Sequence, residues 1–155
     1  MPGDFVAVDC ETTGTDPERD RIVEVAVVRD GSRRAWRVFP GVPIPAEATA
    51  VHGIADADVA ASPRFADVAH EVAAALAGAI VVTFNGRAFD LPLLRAEFTR
   101  AGFAWPLADA PVVDVLTLDR ELTRHTLAGC VRRWCGREHV GAHGAEADAA
   151  ATLDV

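Results

Sequence analysis

The chain contains no lysine; all 15 of its basic side chains are arginine. A Walker A phosphate loop, which needs a lysine behind a glycine-rich turn, is therefore excluded. Cysteine is scarce and odd in number, three residues in 155, so no disulfide framework is expected. Positive charge is in short supply: 23 acidic side chains give a formal charge of -8. That balance argues against a long non-specific duplex binder, which would need a basic face, but it leaves open a short nucleic-acid end held by metal ions and a few arginines. No apolar run reaches the length of a membrane span, and the opening MPGDF lacks the basic-then-apolar order of a secretory leader. The expectation is a soluble cytoplasmic protein with no membrane partner. Half of the residues are hydrophobic, which argues against disorder, and the length fits one domain, 1–155, with a real core.

What is present is organised around residues 5–14, FVAVDCETTG. Phe5 to Val8 form an apolar run of buried-strand type, and the run delivers Asp9, Cys10 and Glu11 into a turn. Strand side chains alternate, so Asp9 and Glu11 share a face. Two acids there are costly unless a cation lies between them, and a hard divalent ion with oxygen ligands suits them. The alternative is a solvated strand end with a turn behind it.

Residues 20–40 read as a hairpin. Ile22, Val23, Val25, Val27 and Val28 make one strand, Ala35, Trp36, Val38 and Phe39 the next, and Asp30-Gly31 the turn. Residues 41–62 read as loop, with Pro43, Pro45 and Val51-His52-Gly53-Ile54. Ser62-Pro63 reads as an N-cap with proline at the first helical position. Phe65, Val68, Val72 and Leu76 then recur at helical spacing up to Gly78. A strand over residues 79–84 leads into Asn85-Gly86-Arg87-Ala88-Phe89-Asp90. A helix follows, with Leu91, Leu94 and Phe98 on one face and Gly102 at its end. Residues 111–114 read as a last strand ending in Asp114. Short helices follow, one around residues 116–122 and one from Thr126 to Gly136, and residues 141–155 form an alanine-rich helical end with His143 and Asp148. Strands followed by alternating helix and strand indicate an α/β sheet with helices on its faces. Ligands in such sheets gather beyond the carboxyl ends of strands, where Asp9, Glu11, Asn85, Asp90 and Asp114 all fall.

Each later acid has a structural reading of its own. Asp90 stands before Leu91-Pro92 and could cap that helix; Asp114 could cap the helix behind it; Asp148 could complement a helix dipole. His143 and Asp148, five apart, lie about 140° from each other on a continuous helix. They work together only with His143 in the glycine-bounded loop and Asp148 one turn into the helix. A loop histidine near metal-bound acids can serve as a general base, although a lone loop histidine is more often a solvated side chain. Cys130, Cys135, His139 and His143 do not have zinc-site spacing; the cysteines read as partly buried thiols near Trp134. The Asp9–Thr13 stretch has a faint likeness to aspartyl-phosphate phosphatases. Glu11 stands where they carry a second Asp, however, and their lysine has no counterpart.

Taken together, D-x-E-T-T-G (Asp9 to Gly14), N-x3-F-D (Asn85 to Asp90) and H-x4-D (His143 to Asp148), in that order, resemble the DnaQ-like, DEDDh 3′–5′ exonucleases of the RNase H-like superfamily. Val51-His52-Gly53-Ile54 also resembles the family's pattern. The related DEDDy branch has a tyrosine before its last Asp, and this chain has no tyrosine. The resemblance implies a five-stranded mixed sheet, second strand antiparallel, flanked by helices. It implies two divalent cations, Mg²⁺ or Mn²⁺. Asp9 would bridge both, Glu11 and Asp148 would complete the inner site, and Asp90 would serve the second ion. His143 would deprotonate the attacking water. Backbone around Thr12 and Thr13, with His52, Asn85 and Phe89, would receive the 3′-terminal nucleotide. The implied activity is hydrolysis of single-stranded DNA or RNA from the 3′ end to nucleoside 5′-monophosphates, with a DNA polymerase or another replication or repair protein as a possible partner. Alternatives are an oligoribonuclease or RNase T-like enzyme on short RNA, and a non-catalytic nucleic-acid-binding or polymerase-accessory module.

Overall fold

A computed structural model describes residues 4–122, 126–140 and 145–154. The sheet is built from β1 (Phe5–Thr12), β2 (Ile22–Arg29), β3 (Ser32–Arg37), β4 (Ile80–Thr83) and β5 (Val112–Asp114), in the order β3-β2-β1-β4-β5. β2 runs antiparallel to β1 and β3, while β4 and β5 run parallel to β1 and to each other. This is the five-stranded mixed sheet with an antiparallel second strand that the three motifs imply. The turn between β2 and β3 is Asp30-Gly31, both at positive φ (49° and 77°), which matches the twist of a two-residue hairpin.

Alternation along β1 is strict. Val6, Val8 and Cys10 are buried, whereas Phe5, Ala7 and Asp9 are exposed. The buried face packs under α3 (Phe65–Leu76) and α4 (Asp90–Arg100), which contribute Val68, Ala69, Val72, Leu76, Leu93, Leu94 and Phe98 to one core. Phe98 sits edge-on to Phe65 (5.1 Å between centroids) and to Trp105 (5.8 Å).

β2 departs from alternation. Glu24 pairs with Glu11, but Ile22 pairs with Thr12, so Val23 is an extra residue in a bulge. Val25 and Val27 face the main core, and strict alternation would send Val23 there and turn Ile22 away. The bulge exchanges them: Ile22 joins the main core, and Val23 joins a second cluster with Ile44, Ile54 and Val59.

That second cluster lies under a segment read from sequence as loop. It holds two short helices, α1 (Ala46–His52) and α2 (Asp56–Val59). The first buries no residue, so it has no apolar periodicity to reveal it. Gly53 ends it at φ 75°, donating its N–H to the Thr49 carbonyl. Two boundaries also differ from expectation. β3 ends at Arg37, before Val38 and Phe39. The helix expected to be capped by Ser62 begins at Phe65, where the Asp67 carboxylate accepts the Arg64 N–H at 2.9 Å.

The chain divides into two compact units, residues 1–115 and 116–155. The second contains most of α5 (Val115–Leu122), then α6 (Leu127–Cys130), a π-helical turn (Val131–Cys135) and α7 (Ala145–Asp154). Thr126 caps α6 by accepting the Gly129 N–H at 3.1 Å. Cys130 and Cys135 are half-buried free thiols as expected, although Trp134 between them is exposed. Among the described residues, no helix is long and apolar enough to cross a membrane.

Candidate active site

Asp9 and Glu11 stand on the face of β1 away from α3 and α4, at its carboxyl end. The Asp9 side chain is exposed and makes no hydrogen bond or ion pair among the described residues. Glu11 is half-buried, opposite Glu24 on β2. Its carboxyl is raised above the ordinary range by burial first and then by Asp9, with His52 acting in the opposite sense.

Asp90 decides between capping and site. It is the first residue of α4, one past the N-cap position held by Phe89. Its buried carboxylate crosses to β1 and accepts the Cys10 N–H through Oδ1 at 2.8 Å. The acid of the second motif is thus held on the strand between the two acids of the first. Burial, followed by the charges of Asp9 and Glu11, raises its carboxyl from 3.8 to about 6, against the lowering effect of the Cys10 N–H. Cys10 itself is buried and its thiol is pushed up, by burial and then by Asp90. It is a packing residue.

The segment carrying Asp90 is folded tightly. Asn85 takes a left-handed backbone (φ 61°), and the Leu91 N–H returns to the Gly86 carbonyl at 2.9 Å. A Cβ on Gly86 would stand 1.8 Å from Thr83 Oγ1, so only glycine lets this turn close over the end of β4. The anchor of the turn is Asp114. Its buried carboxylate accepts the Asn85 N–H at 2.9 Å and the Arg87 N–H at 3.1 Å. Sequence reasoning offered Asp114 only as a cap for α5; the link back to Asn85 is tertiary and has no local signal. Asp114→Ala would strand two backbone donors and is expected to cost about 2–4 kcal/mol. Asp114→Asn keeps one acceptor and should fall between wild type and alanine, as read by urea unfolding.

Thr12 and Thr13 are buried and their hydroxyls are spent inside the turn. Thr12 donates to the Gly14 carbonyl at 2.7 Å, and Thr13 donates to Asp20 at 3.1 Å while accepting the Arg21 N–H at 3.0 Å. His52 Nδ1 accepts the Ile54 N–H at 3.1 Å, which leaves the ring proton on Nε2, 3.2 Å from the Thr12 carbonyl. His52 therefore ties α1 to the end of β1. Phe89 is half-buried against the core and Asn85 is exposed. Phe84, read from sequence only as strand, is 65% exposed next to Asn85. β4 ends at Thr83, so Phe84 stands in the bend just past the strand whose Val82 pairs with Ala7 of β1. His143 lies outside the described residues. Asp148 is the fourth residue of α7, and its side chain is outside them too.

The donor chemistry fits a hard divalent ion, since Asp9, Glu11 and Asp90 all offer carboxylate oxygens. The carboxyls of Glu11 and Asp90 are raised by burial first and by the neighbouring acids second, and a bound cation would offset both. Among the described residues, no three side chains of metal-ligating type are close enough together to form a finished cage.

Ionised Asp90 should therefore weaken the metal-free fold. Its folded value lies above its unfolded one, so its contribution to stability is complete below about 3.8 and is lost as pH rises through about 6. Unfolding in chelator is expected to show a decline of roughly 1–3 kcal/mol over that window. Asp90→Asn should remove the decline.

A family model of RNase T type, described as an exonuclease, matches residues 6–155. A DNA polymerase III subunit epsilon-like protein of Rhodobacter capsulatus is 43% identical over 122 residues, covering 74% of this chain and 17% of the relative. The DNA polymerase III subunit epsilon of Treponema pallidum is 33% identical over 100 residues, covering 61% of this chain and 46% of its own length. The chain thus spans less than half of each of these two relatives. Among solved structures, Exonuclease I superimposes with a TM-score of 0.71 at 23% identity, over 97% of this chain and 39% of that one. A complex of E. coli Exonuclease I with a dT13 oligonucleotide gives the same figures. The fold is that of the RNase H-like exonucleases.

Proposed function

Because the chain belongs to the RNase T-type, DnaQ-like exonuclease family, we propose that it is a metal-dependent 3′–5′ exonuclease of the DEDDh type that releases nucleoside 5′-monophosphates. The observation that carries this reading is the Asp90 carboxylate, held on the Cys10 N–H beside Asp9 and Glu11.

In this reading the two units, together matching the family over residues 6–155, act as one exonuclease domain. Asp9 and Glu11 offer their oxygens for cation binding. Asp90 commits one oxygen to Cys10 and keeps the other for the same purpose. Asp148 completes the acidic set, and His143 takes the proton of the attacking water. Mg²⁺ or Mn²⁺, when bound, supplies Lewis-acid stabilisation of the attacking and leaving oxygens. The turn from Thr12 to Gly14, with His52, Asn85 and Phe89, receives the 3′-terminal nucleotide, and exposed Phe84 offers a stacking surface for a base. A polymerase III-type assembly in the cytoplasm is the proposed setting, in line with the relatives' names.

The test is a gel assay on single-stranded DNA and RNA, 3′-labelled, with Mg²⁺ or Mn²⁺. Labelled mononucleotide should appear first and a 3′-phosphate should block release. Cleavage of circular strands at the linear rate would overturn the exonuclease reading, and no cleavage of either polymer would favour an accessory module. RNA cleaved in preference to DNA would favour the RNase T-like alternative.

A further inference from the structure

On the helix-covered side of the sheet, a cavity of about 240 Å³ opens between β2, residues 38–42, the start of α3 and the end of α4. Its charged lining is Arg21, Arg64, Arg100 and Glu97, so positive charge is in excess there, in a chain whose formal charge is -8. Glu97 is buried and already answered. Its Oε1 accepts from Arg100 Nη1 at 2.8 Å and from the Ile22 N–H at 3.4 Å. Arg100 is further committed to the Pro17 carbonyl.

Arg21 and Arg64 remain. Neither pairs with a carboxylate among the described residues, although six ion pairs are formed elsewhere and a seventh, Arg100–Glu97, within the cavity itself. Arg21 is half-buried, and its Nη1 is out of solvent with no hydrogen-bond partner, so the cavity wall carries an unanswered guanidinium donor. A buried donor without an acceptor is costly, and an anion in the cavity would relieve that cost. Arg64 is exposed and lies over the Phe39 ring at 5.6 Å, which orders its planar fork at the rim. Phe39, Val42 and Phe65 supply apolar walls.

We propose that this cavity is a binding site for a phosphoryl group, held by the guanidinium groups of Arg21 and Arg64. Forked guanidinium donors match phosphate oxygens, and the apolar walls suit a phosphate carried on an organic body. Choosing phosphate over other oxyanions rests on the exonuclease reading; the anion site itself does not. The site adjoins the catalytic turn from behind, because the Arg21 carbonyl accepts the Thr13 N–H at 2.8 Å. The phosphoryl group comes either from a free mononucleotide or from the backbone of a bound strand.

The experiment is an amide-shift titration of the whole chain in excess chelator, where the carboxylate site holds no cation and no strand is cut. Inorganic phosphate, thymidine 5′-monophosphate and oligothymidylate are added in separate arms against matched chloride. Saturable shifts are expected at Ile22, Gly41, Ala66 and Ala101, and Arg64→Gln should weaken binding about tenfold by removing one charge-assisted contact. Arg21→Gln should do the same if it folds; exposed Arg64 keeps the test valid if it does not. A free mononucleotide is the source if the first two arms saturate and the strand arm is unchanged by Arg64→Gln. The strand backbone is the source if Arg64→Gln weakens oligothymidylate and lowers its salt slope by about one. No saturable shift in any arm, or equal affinity in wild type and Arg64→Gln, overturns the site. Neither outcome bears on whether the metal-loaded protein cuts DNA.

Discussion

Asp9→Ala should reduce turnover by at least about 10³-fold, because several kcal/mol of cation-mediated stabilisation depend on this side chain. The fold should survive. The Asp9 side chain is exposed, bonds to nothing among the described residues, and pushes up the carboxyls of both Glu11 and Asp90. Removing it relieves repulsion, so in chelator the variant should be at least as stable as wild type, with the Asp90 carboxyl moved back toward 3.8. Calorimetric Mn²⁺ binding should weaken. The combination separates a catalytic acid from a structural one, since a structural acid would lose stability along with activity. Near-wild-type turnover in Asp9→Ala, or full wild-type activity in excess chelator, would sink the assignment.

The second large effect is expected at His143. A positioned general base contributes roughly 10²–10⁴ in rate, and His143→Ala should lose that much. A base must be neutral to accept a proton, so wild-type activity should rise with pH around the ordinary histidine value of about 6.5. The alanine variant should lack that limb. Cation affinity should hardly change, because the carboxylates carry it. The readouts are a pH–rate profile at saturating Mn²⁺ and a parallel metal titration. If the variant's main defect were lost metal, His143 would be a ligand, and the third motif would need another interpretation.

Much of this arrangement is legible in the sequence because it is local. The alternation of β1, the Asp30-Gly31 turn and the 3.6-residue spacing from Phe65 to Leu76 each announce themselves within ten or so residues. The order of the motifs gave Asp9, Glu11 and Asp90 as one set. What sequence could not say is which acid meets which backbone. Asp90 reads equally well as a helix cap, and only the Cys10 N–H, 80 residues away, distinguishes the two. Asp114 faces the same ambiguity until Asn85 and Arg87 are seen to converge on it. Helix α1 escaped because it buries nothing, and the Arg21–Arg64 cavity because its walls come from four separate segments.

The bulge at Val23 has a consequence for motion. By turning one valine away from the main core, it anchors residues 44–59 through four buried side chains, Val23, Ile44, Ile54 and Val59, instead of through the nineteen that join the sheet to α3 and α4. So small a cluster can open without the rest of the chain unfolding. Amides of α1 and α2 should exchange with solvent well before those of β1 and α4, as native-state hydrogen exchange would show. His52 travels with that segment, and its hydrogen bond to the Thr12 carbonyl is a latch. Opening of the segment should break that hydrogen bond, so the His52 ring should lose its tie to β1 in step with the exchange of α1.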